Sequence, residues 1–90
     1  MLIALIARDK PGALQTRMDN RAAHLAYIEE TGVVAQAGPL LDNDGQMNGS
    51  LVILDVDDMA AAQVWAANDP YARAGLFERV ELTAWKKVIG

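Results

Sequence analysis

The chain contains no cysteine, and this absence excludes two architectures. No disulfide framework can staple it, and no thiolate can hold a structural zinc. Basic residues are also scarce: eight Lys and Arg stand against twelve Asp and Glu, for a net charge of −4. Nucleic acid and anionic membrane surfaces both require a basic footprint, so neither is an expected partner. No apolar run approaches the length of a membrane span. The apolar start Met1–Ala7 lacks a basic leader and runs directly into Arg8-Asp9-Lys10, which favours a first strand over a signal segment. Together with the missing cysteines this makes a cytoplasmic location the expectation. There is no internal repeat, linker or low-complexity tract, so residues 1–90 read as one domain.

The chain is nonetheless well supplied with apolar residues. They make up 52% of it, the fraction of a folded globular protein. A monomer of this length buries only roughly 60–65% of its unfolded surface.

Taken in order, Leu2–Ala7 is a short continuous apolar run, the mark of a strand covered on both faces. Arg8 to Gly12 reads as a loop. From Ala13 to Thr31 the period becomes helical, with Leu14, Met18, Ala22, Leu25 and Ile28 forming one stripe and Gly32 as the C-cap. Val33–Leu41 reads as a strand, and Gly38-Pro39 within it points to an edge position or a bulge. Asp42-Asn43-Asp44-Gly45 signals a turn, Gly49-Ser50 leads out of it, and Leu51–Val56 follows as a third strand. Asp57-Asp58 caps a second helix from Met59 to Asn68, with Ala61, Trp65 and Asn68 on one face. Phe77–Val88 alternates as a last strand.

The resulting order, β-α-β-β-α-β, is the ferredoxin-like pattern, an α+β fold with an antiparallel sheet and both helices on one face. The central strands are apolar at consecutive positions, so both faces of the sheet require cover. Two helices cover only one. A second copy of the chain is the economical cover for the other, and a charge at whichever of Val52 or Ile53 faces that copy should disrupt it.

Several residues break the apolar pattern. On a helical wheel Arg21 falls inside the first helix's stripe, with Arg17 and His24, the only histidine, on its border. Either these side chains pair structurally with carboxylates, or they line a pocket and receive an anionic or enolic oxygen. In Asn68-Asp69-Pro70-Tyr71 the proline pushes Asp69 out of the helical region. Asp69 is then either a plain helix-ending carboxylate or one held in place for use. Ser50 offers a hydroxyl, though Gly-Ser is also ordinary turn chemistry. The cluster Asp42, Asp44, Asp55, Asp57 and Asp58 lacks the ligand spacing of a calcium loop and reads as turn and capping residues. Trp65 and Trp85 read as core or interface anchors. No Gly-rich phosphate loop and no zinc-helix motif is present.

These pieces occur in a recognisable order. Arg17-x3-Arg21-x2-His24-Leu25, Ala37-Gly38-Pro39-Leu40, Gly49-Ser50, Ala62-x2-Trp65-x3-Asp69-Pro70-Tyr71-x3-Gly75 and Trp85-Lys86-Lys87-Val88 together resemble the YCII-related (YciI-like) proteins over essentially the whole chain. The resemblance implies a dimeric α+β barrel built from ferredoxin-like chains, hence a homodimer. It also implies an active site on a His–Asp pair, here His24 and Asp69. Arg17, Arg21, Ser50 and Tyr71 are the candidate ligand-binding residues around it. One relative eliminates chloride from a chlorinated hydroxyhydroquinone, and muconolactone isomerases share the architecture. By that analogy the chemistry is proton transfer on a small oxygenated ring compound, of a lyase or isomerase kind, with no metal or organic cofactor required. Imidazole suits the task because it takes up and returns protons near neutral pH, and a carboxylate beside it fixes its tautomer. The alternative is a non-catalytic module that binds a small molecule or packs onto a partner. A catalytic pair must lie within hydrogen-bond reach and face an open pocket.

Overall fold

The computed structural model describes residues Met1–Gly90. The elements run β1 (Leu2–Asp9), α1 (Leu14–Thr31), β2 (Val34–Leu41), β3 (Met47–Asp55), α2 (Met59–Asn68), α3 (Pro70–Arg73) and β4 (Phe77–Trp85). The four strands form one antiparallel sheet in the order β2-β3-β1-β4. This is the ferredoxin-like α+β arrangement expected from the sequence. The apolar strands β1 and β3 are central, and β2, with Pro39, is an edge, where a missing backbone donor is tolerated.

Register determines what each face carries. Ile3, Leu5 and Ala7 lie opposite Leu54, Val52 and Ser50, and all six are buried on the helix side. Ile3, Leu5, Ala7, Val52 and Leu54 join Ala62 and Trp65 of α2 in the core. Each large aliphatic side chain fully buried here contributes about 1.5–3 kcal/mol. The alternate residues face the other way: Ile6, Leu51 and Trp85 are 37%, 40% and 43% exposed, and between them lie half-buried Ala4 and Ile53, which its neighbours in the sheet already leave only 7% exposed. No element of the chain covers that second face.

The helix ends follow from local chemistry. Gly32 takes φ 65°, as a left-handed C-cap does, and its N–H bonds to the Ile28 carbonyl. The Asp58 carboxylate caps α2 by accepting from Ala61 N–H at 2.8 Å. Asp42 Oδ1 accepts from the N–H groups of Asp44 and Gln46, both at 2.9 Å, and closes the β2–β3 turn. The aspartates in this part of the chain thus include turn-closing and capping residues.

The structure corrects the sequence reading in five elements. Most of the expected packing stripe of α1 faces outward: Leu14, Met18 and Leu25 are 36%, 50% and 46% exposed, and Ala22 is exposed too, while Ile28 alone of the stripe packs against the core. The two buried residues of α1 are instead Arg17 and His24, because both find partners that offset their desolvation. β1 continues through a register shift to Asp9 rather than ending at Ala7, and β3 starts at Met47, which places Gly49 and Ser50 inside the sheet. α2 buries Ala62 and Trp65, not Ala61 and Asn68, and β4 ends at Trp85.

At its C-terminal end α1 is tied to α2. The Tyr27 hydroxyl donates to the Trp65 carbonyl at 2.8 Å, and Trp65 Nε1 donates to Thr31 Oγ1 at 2.9 Å. The other half of α1 packs through polar groups.

Candidate functional site

Asp69 links two helices. It ends α2 in extended conformation, φ −60° and ψ 127°, as the proline after it requires. Pro70 then opens α3 at the first helical position, and Asp69 caps that helix by accepting the Tyr71 backbone N–H on Oδ1 at 3.0 Å. The same oxygen lies 2.8 Å from His24 Nδ1 across from α1. Side-chain exposure is 8% for His24 and 2% for Asp69. A carboxylate oxygen accepts and does not donate, so Nδ1 carries the proton, and in the neutral ring Nε2 is left with a free lone pair. The imidazole stacks on the Tyr71 ring at 4.0 Å and 13°, and Phe77 meets that ring edge-on at 6.0 Å. One short segment, Asp69-Pro70-Tyr71, thus fixes the tautomer, position and tilt of His24.

Seven residues before His24, Arg17 is held as firmly. Its Nε and Nη2 donate to the two oxygens of Asp9 at 2.7 and 2.8 Å, and Nη2 also donates to Ser50 Oγ at 3.0 Å. Its guanidinium lies over the Tyr71 ring, 4.7 Å from the centroid. Burial works to lower the basicity of Arg17, but the hydrogen bond and charge of Asp9 outweigh it and raise the pKa. Burial likewise raises the pKa of the Tyr71 phenol, against the lowering pull of Arg17 and then Arg21, so the hydroxyl is a proton donor at neutral pH.

Gly49 is required beside this cluster. A Cβ there would stand 2.5 Å from the Ala7 carbonyl oxygen and 3.0 Å from Leu40 Cδ1. Only glycine allows β3 to run this close to β1, and the neighbouring Ser50 is thereby carried to Arg17.

These side chains wall a cavity of about 160 Å³ between α1 and the β2–β3 side of the sheet. Arg17, Arg21, His24, Ser50 and Tyr71 line it on one side, and Gly38 and Pro39 of the edge strand face them. Drug-sized ligands occupy about 300–1,000 Å³, so this volume suits a molecule of about one ring. Of the six candidate catalytic and ligand-binding residues, Asp69 alone does not border the cavity; it lies behind His24. Sequence reasoning missed Asp9. Arg8 to Gly12 reads as a loop, so no local signal marked Asp9, whose carboxylate the end of β1 brings to the buried Arg17.

A family profile described as the YCII-related domain matches residues 1–86, and the chain belongs to this family. It is 37% identical to Protein YciI of Escherichia coli O6:H1, covering 98% of this chain and 99% of that one. Among solved structures it resembles the 5-chloro-2-hydroxyhydroquinone dehydrochlorinase TftG of Burkholderia phenoliruptrix AC1100, in complex with 2,5-dihydroxybenzoquinone. The identity there is 37%, the coverage 96% and 94% of the two chains, and the TM-score 0.87. An antibiotic biosynthesis monooxygenase, 14% identical with a TM-score of 0.57 over 97% of this chain and 100% of that one, shares the fold alone.

Proposed function

We propose that this YCII-related protein is a small-molecule enzyme in which His24 and Asp69 carry out acid–base chemistry on an oxygenated ring compound, with no cofactor taking part. The observation that carries the reading is the 2.8 Å contact between His24 Nδ1 and Asp69 Oδ1 at the wall of an open cavity. The kinship with a dehydrochlorinase supports it.

In this scheme His24 Nε2 takes a proton from a ring carbon next to a carbonyl, and the C–H electron pair passes into the carbonyl as an enolate. Asp69 and the face of Tyr71 stabilise the imidazolium that forms. The Tyr71 hydroxyl and Ser50 Oγ offer hydrogen bonds to the enolate oxygen. The enolate then collapses in one of two ways. It expels a halide from the adjacent carbon, which is an elimination, or it recovers the proton from His24 at another carbon, which is an isomerisation.

The second part of the proposal concerns assembly. A second copy of the chain covers the sheet face bearing Ile6, Leu51, Ile53 and Trp85, giving a homodimer closed as an α+β barrel.

The catalytic part is tested by incubating the protein with 5-chloro-2-hydroxyhydroquinone and a panel of hydroxylated quinones and lactones in deuterated water. Chloride release and deuterium uptake at carbon are the readouts. Wild type should promote one or both, and His24→Ala and Asp69→Asn, compared at a temperature where both remain folded, should lose about 10²–10⁴-fold. An activity that survives both substitutions would refute the pair.

A further inference from the structure

The two arginines that line the cavity stand one helical turn apart on α1, yet their states are opposite. Arg17 is 3% exposed, and its Nε and Nη2 are committed to Asp9 and Ser50. Its charge is matched inside the protein. Arg21 is exposed, borders the same cavity and takes part in no ion pair. This is notable in a chain with twelve carboxylate side chains and a net charge of −4.

Its surroundings explain why. Along α1 the residues three and four positions away are Arg17, Met18, His24 and Leu25, none of them acidic. The one carboxylate close by, Asp9, is bonded through both its oxygens to Arg17. The cavity lining also includes apolar Leu25, Ile28 and Met47, and no acidic side chain. An anion seated in the cavity is the group that would offset this arrangement, and the low-dielectric rim would strengthen its attraction. Tyr71, 2% exposed, lines the same cavity and brings a phenol to its wall.

We propose that Arg21 is the specificity-determining residue of the cavity, selecting ring compounds that carry an ionised oxygen about one helical turn from His24. Arg17 has a different task, holding Ser50 and Tyr71 in position. The substrate class this defines is the monocyclic enolate, phenolate or vinylogous acid, rather than a neutral phenol or an apolar ring. The inference rests on the reading of the cavity as a substrate site.

Two probes of the same ring size test it. 2,5-Dihydroxybenzoquinone is a vinylogous acid and is ionised at neutral pH; hydroquinone is neutral. Calorimetric titration of wild type, Arg21→Gln and Arg21→Lys with each probe, at low and high salt, gives the comparison. Arg21→Gln should weaken the anionic probe on the order of tenfold, as expected for loss of a charge-assisted hydrogen bond. It should leave any hydroquinone binding within about twofold and abolish most of the salt dependence. Arg21→Lys should recover part of the loss. The side chain is exposed, so melting temperatures should agree among the variants and wild type. Anionic-probe affinity that is unchanged in Arg21→Gln, or an equal loss for both probes, would overturn this proposal alone. Failure of wild type to bind either probe would overturn it together with the substrate-site reading.

Discussion

The Arg17 guanidinium closes on both oxygens of Asp9, at 2.7 and 2.8 Å, with both side chains almost fully buried. A paired charge in that position tolerates burial; a single one does not. Asp9→Ala should therefore lower stability by about 3–5 kcal/mol, because it leaves the arginine buried without its anion. The double variant Asp9→Ala with Arg17→Met should recover much of that loss, since it removes both charges. Urea denaturation of the three proteins measures the difference. Equal stability of Asp9→Ala and wild type would show that the pair contributes nothing to the fold.

How much of this was legible in the sequence depends on which interactions set each element. The strands β1 and β3 and the turn at Asp42 are local or strongly apolar, and they were readable. So were the Gly32 cap, the edge position of Pro39 and the extended conformation that Pro70 imposes on Asp69. The orientation of α1 was not. An apolar stripe normally points inward, but here the helix turns Arg17 and His24 to the interior and leaves Leu14, Met18 and Leu25 outside. That choice is made by Asp9, Ser50 and Asp69, which reach α1 from three other elements. No periodicity within α1 can report partners that lie elsewhere in the chain. The same reasoning explains Asp9: charge next to a proline and glycine reads as loop, and only the strand register puts it on the helix face.

The uncovered sheet face gives a second prediction. Val52 faces the helices, so Ile53 is the position for a charge on the open side. Light scattering should give wild type a mass twice the 9.7 kDa of the chain at micromolar concentration. Ile53→Lys should yield aggregated or unfolded protein rather than a well-behaved monomer, because the apolar face then lacks its cover. A wild-type chain that runs as a monomer at all concentrations would contradict the proposed assembly.

Tyr71 gives a prediction in pH. Burial raises its pKa in the folded state, more than Arg17 and Arg21 lower it. A raised pKa means that the folded state favours the protonated phenol. The stabilisation is complete below the unfolded value of about 10 and is lost as pH climbs from there through the folded value. Tyr27, raised mainly by burial, adds to the same slope. Denaturation of wild type and Tyr71→Phe over an alkaline pH series should show a steeper decline for wild type. Parallel curves would mean that Tyr71 titrates alike in the folded and unfolded chain.

The reading of the site depends most on the state of one ring, and the chain's single histidine makes that ring directly observable. Nitrogen NMR of protein labelled only at histidine reports His24 without overlap. The account predicts that the ring, in its neutral form, is protonated at Nδ1 and bare at Nε2, with a low-field Nδ1 proton that Asp69→Asn shifts or abolishes. A ring protonated at Nε2, or signals that ignore the Asp69 substitution, would contradict it, because His24 would then have no lone pair to present to a substrate.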